Sequence, residues 1–352
     1  MIPSRQFGFT ARQEAKHRAP HHWFDCHLDL AYLAQNGRDM LREPPGPDAP
    51  GGPGAVTLRS LRLGGVTRAA ATIFVQRRGP DADGQNVDGP WCWSDPDEAH
   101  RVSLAQFDIY DNWRTHNYIY IPKLDRHAAP LGILILIEGA AGIRSIDDLQ
   151  LFYRRGARLL AMTWVDGTRW AGGDQSGGDI TAEGRGLIAA ADDLAMVHDA
   201  SHLSEAAFWT LLATARRPVI ASHSNCRSLL PGKKHPERHL SDPQIQALAS
   251  AGGMIGLNLF SNFLASGRPA TLADAIAHLQ HIVELTGRTD IIGLGSDMDG
   301  GFTADKLPAP LRRPADLELL TDALHAVGFS DEHIRGFRHE NWERFFTGAG
   351  LI

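Results

Sequence analysis

The chain has 352 residues, of which 43% are hydrophobic and 22% charged, a composition typical of a globular protein with a large buried core. Its 41 acidic residues outnumber its 35 basic residues and give a net charge of −6, which argues against a nucleic-acid partner. Three cysteines favour a reducing compartment over a disulfide framework. The polar N-terminus and the lack of a long apolar run predict a cytoplasmic protein without a membrane partner.

Short apolar runs alternate with helical patterns along the chain. The eight predicted strands span residues 23–27, 69–75, 132–137, 159–164, 194–200, 218–222, 253–259 and 291–296. Strands that alternate with helices indicate a parallel sheet with right-handed crossovers. Eight of them in a chain of this length favour an α/β fold of the (β/α)8 TIM barrel type, with a doubly wound sheet as the alternative.

Several helix boundaries carry capping signals. Ser204 and Ser241 are suitable N-cap residues, and Gln244 completes a capping box with Ser241. A later helix is expected to end at Gly328. Its apolar face is predicted to comprise Leu317, Leu320, Leu324 and Val327.

Two irregular segments, residues 43–54 and 79–97, are predicted to be surface loops. The first is so rich in proline and glycine that neither a helix nor a strand can continue through it. Neither segment has the character of a domain boundary. We therefore predict a single catalytic barrel domain over residues 1–352, with residues 1–21 as an N-terminal extension.

Five strand-like runs lead to residues of metal-ligand type or to a lone acid, and a parallel barrel brings the carboxyl ends of all its strands to one rim. Two imidazoles, a third histidine and carboxylates are enough to hold two divalent cations. The residues concerned are His27 with Asp29, then Glu138, His202, His223 and Asp297.

Each of these residues alone also has a structural interpretation. His27 and Asp29 lie two apart, so their side chains point the same way in a strand, but the pair also fits an ordinary turn. Glu138 closes a buried strand, where a carboxylate is unfavourable unless it is paired with an arginine or bound to metal. The two Ser-His dipeptides that contain His202 and His223 need acceptors for the second ring nitrogens, and Asp199 is one candidate.

Asp297 and Arg238 lie outside the ligand pattern. Asp297 stands in a glycine-rich segment that fits a turn, but at the end of the last strand it can also act as a general base. Arg238 precedes a helix cap and is either a solvated loop charge or a bidentate clamp for a substrate carboxylate.

Taken together, these motifs resemble the membrane dipeptidase (renal dipeptidase) family of zinc peptidases, which are amidohydrolase-like barrels. The resemblance extends over about residues 22 to 346 and keeps the family's order of motifs. The segments that carry it are residues 25–30, 137–140, 199–204, 221–225, 235–240, 253–258, 293–300 and 340–346.

The resemblance implies two Zn²⁺ ions, with His27 and Asp29 on the first, Glu138 bridging both, and His202 and His223 on the second. It further implies that Arg238 binds the C-terminal carboxylate of a dipeptide, that Asp297 is the catalytic acid and base, and that the protein can be a homodimer. Trp164 stands where the mammalian members have a histidine that polarises the scissile carbonyl. An indole offers only one N–H for that task, so Trp164 is expected to bind substrate differently.

The predicted function is zinc-dependent hydrolysis of a dipeptide, including one with a D-residue at its C-terminal position, by a metal-bridging hydroxide. The alternative at the same site is hydrolysis of another amide, a lactone or an ester, for which Trp164 and the Trp91–Trp93 segment are the reason. A metal-binding scaffold without turnover is the alternative from a different class. Ligand type leaves the metal open, since other divalent cations bind the same residues.

Overall fold

The structure is a computed structural model that describes residues 22–80 and 86–352. Its main sheet has eight parallel strands. In chain order these are β1 (Trp23–Leu28), β2 (Val66–Phe74), β3 (Gly132–Glu138), β4 (Ala157–Ala161), β5 (Val197–Asp199), β6 (Val219–Ile220), β7 (Ile255–Leu257) and β8 (Ile292–Leu294). Each overlaps one of the eight predicted strands.

The sheet closes on itself. Its strands are ordered β6-β5-β4-β3-β2-β1-β8-β7, so each strand lies beside its neighbours in the sequence, and β1 lies beside β8. A parallel bridge between Ala221 and Ile255 joins the remaining edges, β6 and β7, with a backbone hydrogen bond from Ala221 to Met254 of 2.9 Å. The (β/α)8 barrel prediction is thus confirmed, and the doubly wound alternative is excluded.

Helices connect the strands and surround the barrel. They are α1 (Leu30–Gln35), α2 (Leu58–Leu63), α3 (Pro96–Thr115), α4 (Ile146–Arg154), α5 (Ala182–Asp193), α6 (Glu205–Thr214), α7 (Asp242–Ser250), α8 (Leu272–Thr286), α9 (Glu318–Ala326), α10 (Asp331–Arg335) and α11 (Asn341–Gly348). A π-helical turn, Gly336–Glu340, joins α10 to α11. Within the described residues, no helix combines the length and the apolar character needed to cross a membrane.

The capping predictions hold at α6 and α7. Ser204 accepts a hydrogen bond from the backbone N–H of Ala207, and Ser241 forms the capping box with Gln244. At α9, three of the four predicted core residues are buried, but Val327 is 45% exposed. Val327 caps the C-terminus of α9, so it lies beyond the last turn that packs on the barrel.

The two predicted loops differ in structure. Residues 43–54 contain no helix or strand. The described part of the 79–97 segment contains regular structure: Gly79–Pro80 pairs with Asn86–Val87, Cys92–Trp93 pairs with Gln76–Arg77, and α3 begins at Pro96. Residues 81–85 of this segment and the predicted extension at 1–21 lie outside the described residues.

The helix α11 seals the end of the barrel opposite the carboxyl ends of the strands. Its Trp342 and Phe346 rings pack on Phe24 near the start of β1, with centroids 6.4 and 5.4 Å from the Phe24 ring. The indole N–H of Trp342 donates to the Leu294 carbonyl at 3.0 Å. Gly293 permits this approach, because a Cβ there would lie 2.2 Å from the indole nitrogen. Apolar side chains thus fill the lower barrel and leave its upper rim for polar groups.

Candidate active site and metal centre

The upper rim brings together all six residues that the sequence placed at strand ends. Glu138 is the last residue of β3, and the others follow their strands by one to three residues or, for His27, lie near the end of β1. All six side chains are buried. They are His27, Asp29, Glu138, His202, His223 and Asp297.

Glu138 lies at the centre of this cluster, and its two carboxylate oxygens face different histidines. Oε2 lies 3.3 Å from Nε2 of His27. Oε1 lies 3.4 Å from Nε2 of His202 and 3.6 Å from Nε2 of His223. The carboxylate therefore contacts His27 through one oxygen and His202 and His223 through the other.

The three histidines are also close to one another. Nε2 of His202 lies 3.1 Å from Nε2 of His223, and the rings of His27 and His223 stack with centroids 3.5 Å apart. Imidazoles at these separations direct their ring nitrogens to a common space, as the ligands of one or two cations do.

On the other side of His27 lie two carboxylates. Single donor atoms of His27, Asp29 and Asp297 all lie within 4.8 Å of one another, and the same is true of His27, Glu138 and His223. His27 belongs to both groups. The described residues thus contain two overlapping ligand sets that could each hold a metal ion.

Two carboxylates of the cluster are held by neutral donors. The Thr72 hydroxyl donates to Asp29, and the Asn258 amide donates to Oδ2 of Asp297 at 2.9 Å. Sequence reasoning assigned no role to Thr72 or Asn258. Thr72 lies within β2, and Asn258 directly follows β7. A polar residue at such a position, in or next to an apolar run, is the signal that could have identified them.

The backbone at the rim is unusual at two site residues. His202 has φ of +66° and Asp297 has φ of +59°, in the left-handed region that non-glycine residues adopt rarely. Such conformations persist where the surrounding structure fixes them, and they cluster at functional sites. Here the left-handed conformations occur three residues after the ends of β5 and β8, where the two side chains enter the cluster.

The electrostatics of the cluster favour an ionised Glu138. Burial alone would raise the pKa of Glu138, but attraction to His27 and hydrogen bonding to His202 outweigh burial and hold it below its usual range. Burial would likewise lower the pKa of His27, yet the charge of Glu138 raises it to about 10. His223 has no such compensation, so burial and the nearby positive charge of His27 hold its pKa well below the usual value.

The pKa values of the other two carboxylates, Asp29 and Asp297, are raised. Burial raises the pKa of Asp29 to about 7, with repulsion from Glu138 adding to the effect. Burial also raises the pKa of Asp297 to about 6, although His27 opposes the shift. Divalent cations in this space would favour the ionised forms of both groups.

A second layer of polar groups orients the histidines. Nδ1 of His202 lies 2.9 Å from Oδ2 of Asp174. Nδ1 of His223 lies 2.8 Å from the Ser222 hydroxyl, which in turn donates to Asp199. The suggested direct role of Asp199 is therefore corrected: it acts on His223 through Ser222, and Asp174, which the sequence did not reveal, serves His202.

A cavity of about 1030 Å³ opens above the cluster. Arg238 lines it and is only 5% exposed. Its guanidinium donates to the His223 carbonyl at 2.9 Å and to the Ser224 hydroxyl at 3.3 Å and lies over the Phe263 ring. Its buried Nε has no hydrogen-bond partner among the described residues and lies 4.0 Å from Oδ2 of Asp174.

Trp164 lines the same cavity, just after β4. Its ring contacts Phe74 edge-on, with centroids 5.2 Å apart, and lies 6.2 Å from the His202 ring. Tyr32 and Trp91 extend this aromatic wall, with ring centroids 5.1 Å apart. The site is therefore polar at its floor and aromatic along one wall, as small-molecule sites commonly are.

A closed parallel barrel with histidines and carboxylates gathered at its carboxyl-end rim defines the class of metal-dependent barrel hydrolases. The donor set fits such metals, since imidazole and carboxylate are the usual ligands of catalytic zinc. Within this class, the chain belongs to the membrane dipeptidase family (peptidase family M19), whose profile it matches over residues 12–350. The protein is accordingly a hydrolase of a metallopeptidase family, and the family prediction is confirmed.

Individual relatives agree with this assignment. The chain is 33% identical over 227 residues to an uncharacterised protein in the pqqA 5′ region of Klebsiella pneumoniae, covering 61% of this chain and 80% of that protein. It is 26% identical over 274 residues to Dipeptidase 3 of Macaca fascicularis, covering 74% of this chain. The matched region spans only 54% of that dipeptidase.

Solved structures share the fold over nearly the whole chain. The dipeptidase AC, a metallopeptidase of family M19, has a TM-score of 0.75 at 25% identity and covers 95% of this chain and 98% of its own. A metallopeptidase from Rhodobacter sphaeroides, liganded with a phosphinate mimic of L-Ala-D-Ala, has a TM-score of 0.77 at 24% identity, with 94% and 99% covered.

Proposed function

We propose that the protein is a zinc-dependent dipeptidase with a binuclear metal centre. The observation that carries the proposal is the placement of Glu138, whose Oε2 faces His27 and whose Oε1 faces His202 and His223. A carboxylate in that position would serve as a ligand of two cations. Zinc suits the ligands, although other divalent cations bind similar sets.

In this proposal His27 and Asp29 would hold one cation, His202 and His223 would hold the other, and Glu138 would be a ligand of both. Such a pair of cations would supply a water molecule of lowered pKa and would polarise the scissile carbonyl. The protein itself keeps the imidazoles oriented through Asp174 and Ser222.

Asp297 is proposed as the general base and acid. It accepts a proton from the attacking water and passes it to the leaving nitrogen of the peptide bond. The amide of Asn258 fixes one of its oxygens at 2.9 Å, and its side chain lies within 4.8 Å of His27 and Asp29.

Arg238 is proposed to bind the C-terminal carboxylate of the dipeptide. Its buried guanidinium is already fixed by the His223 carbonyl and the Ser224 hydroxyl, so little conformational freedom is lost when a carboxylate binds. A carboxylate held there would place the scissile bond at a defined distance from the cluster, and such positioning accelerates the reaction.

The aromatic wall supports a second candidate at the same metals, hydrolysis of another amide, a lactone or an ester. Trp164 offers one N–H where the mammalian relatives have an imidazole, and Phe74 packs against its ring. An apolar wall of this kind also accommodates an acyl chain. The two candidates differ in whether a free carboxylate at Arg238 is required.

The test is a panel of dipeptides, lactones and N-acyl amino acids offered to zinc-loaded protein. Each dipeptide is supplied with an L- or a D-residue at its second position. We expect hydrolysis of dipeptides and little hydrolysis of dipeptide amides, which lack the carboxylate. Turnover of lactones or esters without any dipeptide cleavage would favour the second candidate, and loaded protein that is inert on every substrate would favour a scaffold.

Two further predictions belong with this proposal. A cytoplasmic location is supported by three buried cysteines that are all free, as expected in a reducing compartment. Fractionation of cells that express the protein tests this location.

A homodimer is proposed from the family resemblance, and sedimentation analysis of the purified protein tests it.

A further inference from the structure

The lining of the cavity contains several cationic side chains that are not part of the histidine and carboxylate cluster. Apart from Asp29, Glu138 and Asp297 of the cluster, Asp166 is the one acidic side chain among the described residues that line the cavity. The whole chain, in contrast, has a net charge of −6. The cationic side chains of the lining are Arg77, Arg78, Lys233, Lys234 and Arg238.

Lys233 is the best defined of these cations. Its ammonium donates to the carbonyl of Asn262 and, at 3.2 Å, to that of Ala265. No carboxylate of the described residues forms an ion pair with it, whereas Arg78 is paired with Asp88. Burial lowers the pKa of Lys233. An ammonium has three donors, so two carbonyls hold Lys233 in place and one donor remains.

Lys233 and Arg238 both contact the same short turn, Ser261–Phe263. Lys233 bonds to the carbonyl of Asn262, and Arg238 lies 4.9 Å from the centroid of the next side chain, Phe263. Adjacent residues are about 3.8 Å apart along the chain. Both cations therefore lie against the same turn, whose Asn262 and Phe263 line the cavity together with them.

We propose that Lys233 forms a second anion subsite that selects dipeptides whose C-terminal residue has a side-chain carboxylate. This inference rests on the proposed dipeptidase function, in which Arg238 holds the main-chain carboxylate of that residue. The side chain of the same residue then extends towards Lys233. Charge-assisted hydrogen bonds of this kind are about twice as strong as neutral ones.

The test compares isosteric pairs on zinc-loaded protein: Ala-Glu with Ala-Gln, and Glu-Ala with Gln-Ala, with both configurations of the second residue. We expect kcat/KM to favour Ala-Glu over Ala-Gln about tenfold, as a partly buried charge pair allows, and this preference to fall as salt is raised. Glu-Ala should show no comparable advantage. Equal rates for Ala-Glu and Ala-Gln, or a preference confined to Glu-Ala, would overturn the subsite.

Lys233→Gln should lower the ratio of kcat/KM for Ala-Glu over Ala-Gln to about one. Lys306→Gln is the matched control, because Lys306 is an exposed lysine outside this cavity whose side chain is 57% accessible, and it should keep the full preference. A Lys233→Gln protein that still favours Ala-Glu tenfold contradicts the assignment.

Direct binding separates this inference from the proposed function. Calorimetry with phosphinate dipeptide mimics that end in a glutamate or a glutamine side chain reports the subsite without turnover. If loaded protein cleaves no dipeptide yet binds the glutamate mimic about tenfold more tightly, the dipeptidase proposal fails and the anion subsite stands. If dipeptides are cleaved but the two mimics bind equally, only the subsite fails.

Discussion

The carboxylate of Asp25 binds Ser296 twice. Its Oδ1 accepts the backbone N–H of Ser296 at 2.7 Å, and its Oδ2 accepts the Ser296 hydroxyl. Asp25 lies two residues before His27, and Ser296 lies directly before Asp297. The pair therefore fastens β1 to β8 at the level where two residues of the candidate site emerge.

Asp199 and Ser222 repeat this arrangement between β5 and β6. Oδ1 of Asp199 accepts the backbone N–H of Ser222 at 2.9 Å, and Oδ2 accepts its hydroxyl. Ser222 lies directly before His223. Both Asp–Ser pairs thus join neighbouring strands and set the start of a segment that supplies the cluster.

Asp25→Asn should destabilise the protein. An amide keeps the shape of the carboxylate but has only one accepting oxygen, so one buried donor of Ser296 loses its partner. The expected loss is about 1–3 kcal/mol in the free energy of unfolding, measured by urea denaturation. Ser296→Ala removes only the hydroxyl bond and should cost about 1 kcal/mol. If the Asp25→Asn protein is as stable as wild type, the Asp25–Ser296 pair does not contribute to the free energy of unfolding.

Asp174→Asn should weaken metal binding at the His202 half of the centre. The carboxylate orients the imidazole through Nδ1 at 2.9 Å, and loss of such a partner typically lowers metal affinity tenfold to hundredfold. Titration against a competing chelator measures it. Asp166→Asn is the control, because Asp166 is exposed at the cavity mouth. Equal affinities for the two variants would refute the orienting role.

Gly300→Ala should displace the proposed general base. A Cβ at this position would lie 1.8 Å from Oδ1 of Asp297 and 3.0 Å from Oδ2 of Asp29. A shift of about 1 Å at the reacting groups lowers the rate roughly hundredfold, which dipeptide hydrolysis would report. Gly186→Ala is the control, since a Cβ there meets open space within α5 and should stabilise the helix by about 0.5–1 kcal/mol. Full activity in Gly300→Ala would exclude the close approach.

Metal binding should release protons. Without metal, the pKa of His27 is raised to about 10, so its imidazole is protonated at pH 8 and must lose that proton to become a ligand. Apparent metal affinity should therefore rise as pH increases from 7 towards 10 and fall on acidification. Calorimetry in two buffers of different ionisation enthalpy counts the protons. Affinity that is constant from pH 7 to 9, with no proton released, would contradict the His27–Glu138 pairing.

Much of the fold was predictable because each strand is an apolar run bounded by turn signals. The exceptions have local causes. The predicted strand 194–200 begins three residues too early, since Leu194 caps α5 and Ala195 has φ of +56°. An apolar run alone does not distinguish the end of a buried helix from the start of a strand.

The cluster was predictable for a topological reason: parallel strands carry their carboxyl ends to one rim. The polar residues around the cluster, such as Asp174, could not be predicted in this way. Asp174 lies on a glycine-rich loop that reaches His202 through a backbone hydrogen bond between the two residues of 2.9 Å, and loop conformations have no periodic signal. Lys233 is likewise placed by contacts with a turn distant in sequence.

The most direct test of the account is the metal content of wild-type protein and of Glu138→Gln, measured by elemental analysis after zinc loading and gel filtration. Because Glu138 faces both histidine groups, we predict two zinc ions per chain in the wild type and one or fewer in the variant. Two tightly held zinc ions in the folded Glu138→Gln protein would contradict the shared carboxylate and with it the binuclear centre.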